Sequence, residues 1–310
     1  MDQLLHDGEL QLLYAGILGT LAFARVITWV LQRRRIAVDY VEDVVLRIRG
    51  WCLIVTMFIL FSIGGTTGLI VMFAIVSFLA LREFITVGAT RADHKALLWV
   101  FFVFTPLQYV LVALGLFDAM TTVIPLLGFI VIAARQAMVG DAEGYLERTA
   151  IVHWSLLACT YCVSYMPALL VLDVPGRTGD VKLLVVLVLL AQVGDVVRMH
   201  VARLARGPRV APFTPDLTWR GSAVSAVLVP ALGAALWWAT PFSPAQMAAV
   251  TLVITALGAV GSLVLAAVKR DRGITDYGMV VAGHGGMLDR IACLLFSAPV
   301  FFHIVRLGFI

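Results

Sequence analysis

The sequence predicts an all-α fold: a polytopic integral-membrane helical bundle of nine or ten transmembrane helices. Three observations carry that expectation. Hydrophobic residues fill 61% of the 310 positions and charged residues only 14%, with a mean hydropathy of +0.99, far from the balance of a soluble domain. The apolar residues fall in blocks, and crossing a hydrocarbon core takes roughly 20 residues of helix. The basic residues gather in short clusters between the blocks.

Ten apolar blocks lie near 10–31, 50–63, 67–81, 96–116, 120–134, 150–172, 181–197, 222–239, 245–268 and 291–309. The first follows an acidic start with no small-residue cleavage pattern behind it, so it is expected to stay as a helix. From Arg33 to Arg49 basic and apolar residues alternate, as in a helix lying on an anionic leaflet. Residues 1–50 therefore read as one unit, a transmembrane helix plus a basic interfacial segment, and 51–310 as the main transmembrane domain. The second and third blocks are short and meet at Gly64-Gly65-Thr66-Thr67-Gly68, which suits a tight turn. The fifth could be re-entrant, which would leave nine spans. Small residues in the ninth, Ala256, Gly258, Ala259 and Gly261, suit close helix packing.

Orientation follows from the cations, because Lys and Arg mark cytoplasmic loops. Nineteen of the 23 lie in alternate loops, 33–49, 82–95, 135–148, 198–220 and 269–290. With ten spans both termini are outside and these loops face the cytoplasm of what is expected to be a bacterial inner membrane. The net charge of +4 then points to anionic lipid head groups and nucleotide phosphates and not to nucleic acid. The four cysteines all lie in apolar blocks, and Cys159-x-x-Cys162 has no second pair or histidine partner, so helix packing accounts for it.

Several polar residues do not suit a bilayer. Arg25 lies within reach of the interface if its side chain extends. Arg82-Glu83, after the third block, forms either an interfacial ion pair or part of a site. Asp195 stands near the end of the run LLVVLVLLAQVGD, where an acid faces a cavity or pairs with a cation such as Arg198. Behind it Arg198, His200, Arg203, Arg206 and Arg209 either neutralise phosphates or only mark the cytoplasmic side. The densest polar stretch follows Val268: Lys269, Arg270, Asp271, Arg272, Asp276, His284, Asp289 and Arg290. Gly283, Gly285 and Gly286 leave backbone N–H groups open to an anion, and Asp276 and Asp289 are oxygen donors suited to a hard cation.

Lys269-Arg270, Asp276 and His284-Gly285-Gly286-Met287-Leu288-Asp289-Arg290 resemble the signature of the integral-membrane phosphatidate cytidylyltransferases, the CDP-diacylglycerol synthases. Thr214-Pro215-Asp216-Leu217-Thr218-Trp219-Arg220-Gly221 is similar to that family's Ser-Pro-x-Lys-Thr-Trp-Glu-Gly stretch, and a looser resemblance runs from about Trp51 to the end. The resemblance implies a reaction in which a phosphate oxygen of phosphatidic acid attacks the α-phosphorus of CTP, giving CDP-diacylglycerol and pyrophosphate. It implies Mg²⁺ held by Asp289 and Asp276, which with Lys269 and Arg270 form the catalytic core. It further implies that His284, Gly285, Gly286, Arg290, Thr218, Arg220 and Asp195 bind substrate, and that the protein forms a homodimer. The family usually has Asp where this chain has Ser262, Ser at Ala266, Lys at Leu217, Glu at Arg220, Lys at Thr275 and Asp at Ala292. These changes leave a second expectation open, a catalytically inactive relative that binds lipid or a partner of phospholipid synthesis. A transporter is the weakest reading, because the paired broken helices of inverted repeats are missing.

Overall fold

With no water in a hydrocarbon core, a spanning segment must satisfy its backbone internally, and the long apolar runs of this chain do so as helices. A computed structural model describes residues 8–34, 38–88, 94–174, 181–205, 207–278 and 285–309. Helix α1 is Gly8–Arg33, α2 is Val38–Ser62 and α3 is Gly65–Gly88. α2 runs without a break through residue 50, joining the basic segment to the following apolar block. The turn into α3 falls where the glycines predict it. Gly65 has φ +65°, and the Gly68 backbone packs so closely on the Phe61 carbonyl that no Cβ fits.

Next come α4, His94–Trp99, and α5, Thr105–Ala113, joined by a π-helical turn over Val100–Phe104. Helices α6, Phe117–Thr122, and α7, Phe129–Ala137, are joined in the same way, as are α8, Tyr145–Leu156, and α9, Val163–Ala168. The second half holds α10, Val181–Ala205, and α11, Trp219–Ala235, followed by α12, Pro244–Asp271. α12 begins with a capping box in which Ser243 and Gln246 satisfy each other's backbone N–H, and Pro244 occupies the first turn. It ends just after Lys269-Arg270, cations that suit the negative end of the helix dipole, and Gly273 at φ +67° turns the chain away. The short α13, Met287–Ile291, and α14, Ser297–Phe309, complete the chain.

Six helices among the described residues are long and apolar enough to cross a membrane: Gly8–Arg33, Val44–Ser62, Gly65–Gly88, Lys95–Ala113, Phe117–Ala137 and Pro244–Asp271. The other four expected blocks are helical too but are interrupted, shorter or charged. The 150–172 block contains a π turn and Pro167, α10 carries Lys182, Asp195 and Arg198, α11 is 17 residues long, and the last block is divided between α13 and α14. Phe23, Phe102, Phe129 and Val227 stand on the outer surface, which suits lipid and not water. The protein is an integral membrane protein.

α10, α11 and α12 pack against one another, and α3 packs on α2, α5, α9 and α13. Gly261 lets α12 press against the backbone of Ala292, where a Cβ would strike the carbonyl. All five predicted basic loops contribute residues to one end of the bundle, as the Arg272–Glu147 ion pair at 3.2 Å illustrates. Lys182–Glu9 and Arg306–Asp118, at 2.7 and 2.8 Å, join elements from the opposite loops.

Candidate active site

Between the α10–α12 group and α2 lies a cavity of about 680 Å³, and its walls gather most of the polar residues singled out in the sequence. Asp195 comes from α10, Ser262, Ala266, Lys269 and Arg270 from α12, Asp276 and Gly285 from the connection that follows, and Asp289 and Arg290 from α13. Thr214 to Leu217 close one side.

Asp289 is held by its position in the first turn of α13. Its Oδ2 accepts hydrogen bonds from Gly286 N at 3.0 Å and Tyr277 N at 3.3 Å, and its Oδ1 pairs with Lys269 Nζ. Lys269 thus reaches from the end of α12 to the start of α13. Its ammonium also lies 5.5 Å from the centre of the Tyr277 ring, whose hydroxyl donates to Leu265 O at 2.8 Å. Burial, and then the negative Asp289, push the Tyr277 hydroxyl pKa up, so it stays a neutral donor.

Gly285 shows how close the two acids are. It has φ +71°, and a Cβ there would stand 2.6 Å from Asp289 Oδ2 and 3.1 Å from Asp276 Oδ1. Only glycine leaves that point free, and both carboxylates border it. Asp276 has no ion pair among the described residues. Two nearby carboxylates with solvent or substrate oxygens to complete the shell could hold a hard divalent cation, so the donor set fits one. No group of three His, Cys, Asp or Glu side chains that could hold a metal occurs among the described residues.

Asp195 both lines the cavity and pairs with Arg198, so the two readings of it coincide. Its Oδ1 accepts from Arg198 Nη2 and from Ser262 Oγ, each at 3.2 Å. Arg198 is 2% exposed and also donates to Thr255 O at 3.0 Å, which fixes the guanidinium between α10 and α12. Where the resembling family has a second acid, this chain has a hydroxyl that serves the first one. Arg203 lies 3.6 Å from Asp216, drawing the 207–218 loop over the cavity.

Arg290 is anchored through its backbone, whose carbonyl accepts from Gln192 Nε2 at 2.9 Å. Burial, and then the nearby positive Arg47, lower its guanidinium pKa, while Asp289 opposes them. Arg47 and Arg270 line the cavity without ion pairs among the described residues. Cations therefore outnumber carboxylates around it, which favours a polyanionic ligand.

Two predicted substrate-binding residues stand apart from the cavity walls. Thr218 is buried as the N-cap of α11, its Oγ1 accepting from Gly221 N at 3.1 Å. Arg220 points outward, packs over Gly207 and donates to Ala205 O at 3.0 Å. His284, Gly283 and Arg206 lie outside the described residues.

Along the sequence Glu83 fits an ion pair and a site residue equally, and Arg47 does not stand out from the other cations of its segment. Glu83 is a buried acid whose Oε1 and Oε2 accept from Met287 N and Leu288 N, at 2.8 and 3.0 Å. The available signal was an acid at the end of a long apolar helix. For Arg47 it was the helical spacing to Trp51 and Ile54, which also line the cavity.

A profile of the cytidylyltransferase family matches residues 45–308. Uncharacterized protein YnbB of Escherichia coli (strain K12) is 31% identical over 305 residues, which cover 97% of this chain and 98% of that protein. A phosphatidate cytidylyltransferase of Mycobacterium leprae is 32% identical over 170 residues, 54% of this chain and 53% of that protein. One from Synechocystis sp. is 35% identical over 103 residues, 32% of this chain and 34% of that protein. The matched family region includes every residue that lines the cavity and nearly the whole second half of the bundle, so this chain belongs to the cytidylyltransferase family.

Proposed function

We propose that the protein is a CTP:phosphatidate cytidylyltransferase, transferring CMP from CTP to phosphatidic acid in the bacterial inner membrane, with the cavity on the cytoplasmic side. The observation that carries this reading is the convergence of Asp276 and Asp289 on Gly285 beside Lys269, Arg270 and Arg290. The nucleophile, a lipid phosphate oxygen, is already an anion and needs no strong base. A new P–O bond forms to the α-phosphorus of CTP as the bond to the β-phosphate oxygen breaks and pyrophosphate leaves. The barrier lies in bringing two polyanions together and in the charge that develops on the transferring and leaving groups.

The residues present meet those demands in stated ways. Arg270 and Arg290 supply positive charge to the phosphates, and Lys269 can bridge Asp289 and a phosphate oxygen. Asp276 and Asp289 would hold Mg²⁺, which supplies charge neutralisation at the phosphates when bound. The Asp195–Arg198–Ser262 cluster keeps α10 and α12 in register beneath them. The spanning helices bring a lipid substrate to the cavity level, and the predicted cytoplasmic loops admit a soluble nucleotide.

A second reading, a family member that binds lipid without turnover, is favoured by one observation. Of the six positions that depart from the resembling family, Ser262, Ala266, Leu217, Thr275 and Ala292 all line the cavity. Turnover by the purified protein in micelles containing phosphatidic acid, CTP and Mg²⁺ separates the two, with CDP-lipid and pyrophosphate followed together. Stoichiometric release of both supports the transferase. Their absence from a folded protein that binds phosphatidic acid supports the second reading.

A further inference from the structure

The cavity wall facing α10 and α12 comes from α2, which the chemistry above does not use. Arg47, Trp51 and Ile54 all line the cavity, and their spacing places them along one face of the helix. From Arg47 that face runs towards the interior of the candidate span Val44–Ser62. It starts with a guanidinium and continues with an indole ring and a branched alkyl group. A wall of that kind suits a ligand with an anionic end and an apolar body.

The anionic end has a prepared place. Arg290 comes up beside α2 one turn beyond Arg47, in the space left by Gly50, where a Cβ would collide with both terminal guanidinium nitrogens. Arg290 Nη2 is buried and makes no hydrogen bond, and Arg47 has no ion pair among the described residues. A donor sealed from water with no acceptor, next to a second positive charge, is an unfavourable arrangement standing alone. Phosphate oxygens between the two guanidiniums would satisfy the donor and remove the repulsion.

We propose that Arg47 and Arg290 form a seat for the phosphate of the lipid substrate, whose apolar part lies along Trp51 and Ile54. The assignment rests on the reading of the cavity as a lipid-phosphate site. Inorganic phosphate or the phosphates of CTP would satisfy the guanidiniums equally well, and a cytosine ring could stack on Trp51, but the continuation of this face through Ile54 into the candidate span Val44–Ser62 favours an acyl chain. Lys269 and Arg270, on the α12 wall, remain for the nucleotide. Arg47 is thus a specificity residue supplied by the segment before the main apolar core.

The test is calorimetric titration of the full-length protein in neutral detergent with short-chain phosphatidic acid, CTP and inorganic phosphate separately. Arg47→Gln should weaken the short-chain lipid about 10- to 100-fold, as expected for a lost charge-assisted hydrogen bond, and leave CTP affinity unchanged. Gly50→Ala should weaken the lipid as well, because the methyl group displaces Arg290 while both arginines remain. Arg47→Lys keeps the charge without the planar fork and should give a partial loss. Arg49→Gln, on the exposed side of α2, should bind as wild type does.

Equal losses for lipid and CTP in Arg47→Gln, or unchanged lipid binding in both Arg47→Gln and Gly50→Ala, would overturn the seat. Inorganic phosphate binding as tightly as the short-chain lipid would overturn its assignment to a lipid. CDP-lipid formation measured on the same preparations keeps the two readings apart. A selective loss of lipid binding in a protein without turnover retains the seat and removes the activity. Turnover whose KM for phosphatidic acid is untouched by Arg47→Gln retains the activity and removes the seat.

Discussion

Glu83 of α3 caps Leu288 of α13: its carboxylate accepts the Leu288 N–H at 3.0 Å and the neighbouring Met287 N–H at 2.8 Å. These are orphan donors of a short helix, which on its own would be unstable. The acid is 8% exposed and sits at the positive end of the helix, where its charge is favoured. Gly278 and Gly286 both pack against the same carboxylate, so Glu83 fixes the chain on each side of the His284 segment. A residue some two hundred positions away therefore sets where Asp289 and Arg290 stand.

Glu83→Ala should leave two buried N–H groups without acceptors, costing about 1–3 kcal/mol each. The expected result is a lower midpoint of thermal unfolding in detergent and a loss of CDP-lipid formation larger than the loss of CTP binding. Glu83→Gln keeps one acceptor oxygen and should recover part of both. Wild-type turnover in Glu83→Ala would show that the cap does not position the site.

Asp289→Asn removes the charge but keeps an oxygen able to accept from Gly286 N. It should lower CDP-lipid formation ~10²-fold or more, the usual cost of losing one charge-stabilising group, with little change in folding. Chelation of divalent cations should abolish turnover in the wild type, and added Mg²⁺ should restore it. Turnover that survives chelation would remove the metal from the proposal.

Gly285→Ala tests the convergence of the two acids. The new methyl group would be strained at φ +71° and would press on Asp289 Oδ2 and Asp276 Oδ1. A cost of about 1–2 kcal/mol in stability and a weaker response to Mg²⁺ are expected. Titration of Mg²⁺ against turnover, together with thermal unfolding, reads both.

Ser262→Asp places a second carboxylate where a hydroxyl now donates to Asp195 at 3.2 Å. Two acids that close repel, so without metal the variant should unfold at a lower temperature than wild type. Mg²⁺ should recover the difference more in the variant than in wild type. Equal Mg²⁺ responses would show that the position cannot contribute a metal ligand in this chain.

The sequence by itself determined the membrane character and the approximate places of the helices, because apolar runs and turn glycines act locally. Gly64-Gly65 marked its turn, and Lys269-Arg270 marked the end of α12. The alternation of cationic loops also anticipated which segments gather at one end, since charge is excluded from the bilayer at every crossing. Residue types and the signature spacing picked out Asp276, Asp289, Lys269 and Arg290, which line one cavity.

Only the tertiary structure decided which of these meet and which partners each one holds. Thr218, which the resemblance assigns to substrate, stands apart from the cavity walls and caps α11, its hydroxyl oxygen accepting from Gly221 N. Asp195 divides its oxygen between Arg198 and Ser262, residues on two helices. Arg47 reaches the cavity, and Glu83 the start of α13, from helices far away in sequence. Hydrogen bonds and ion pairs act over about 3 Å in space and leave no periodic trace along the chain, so packing of the helices had to bring these partners together before their roles existed.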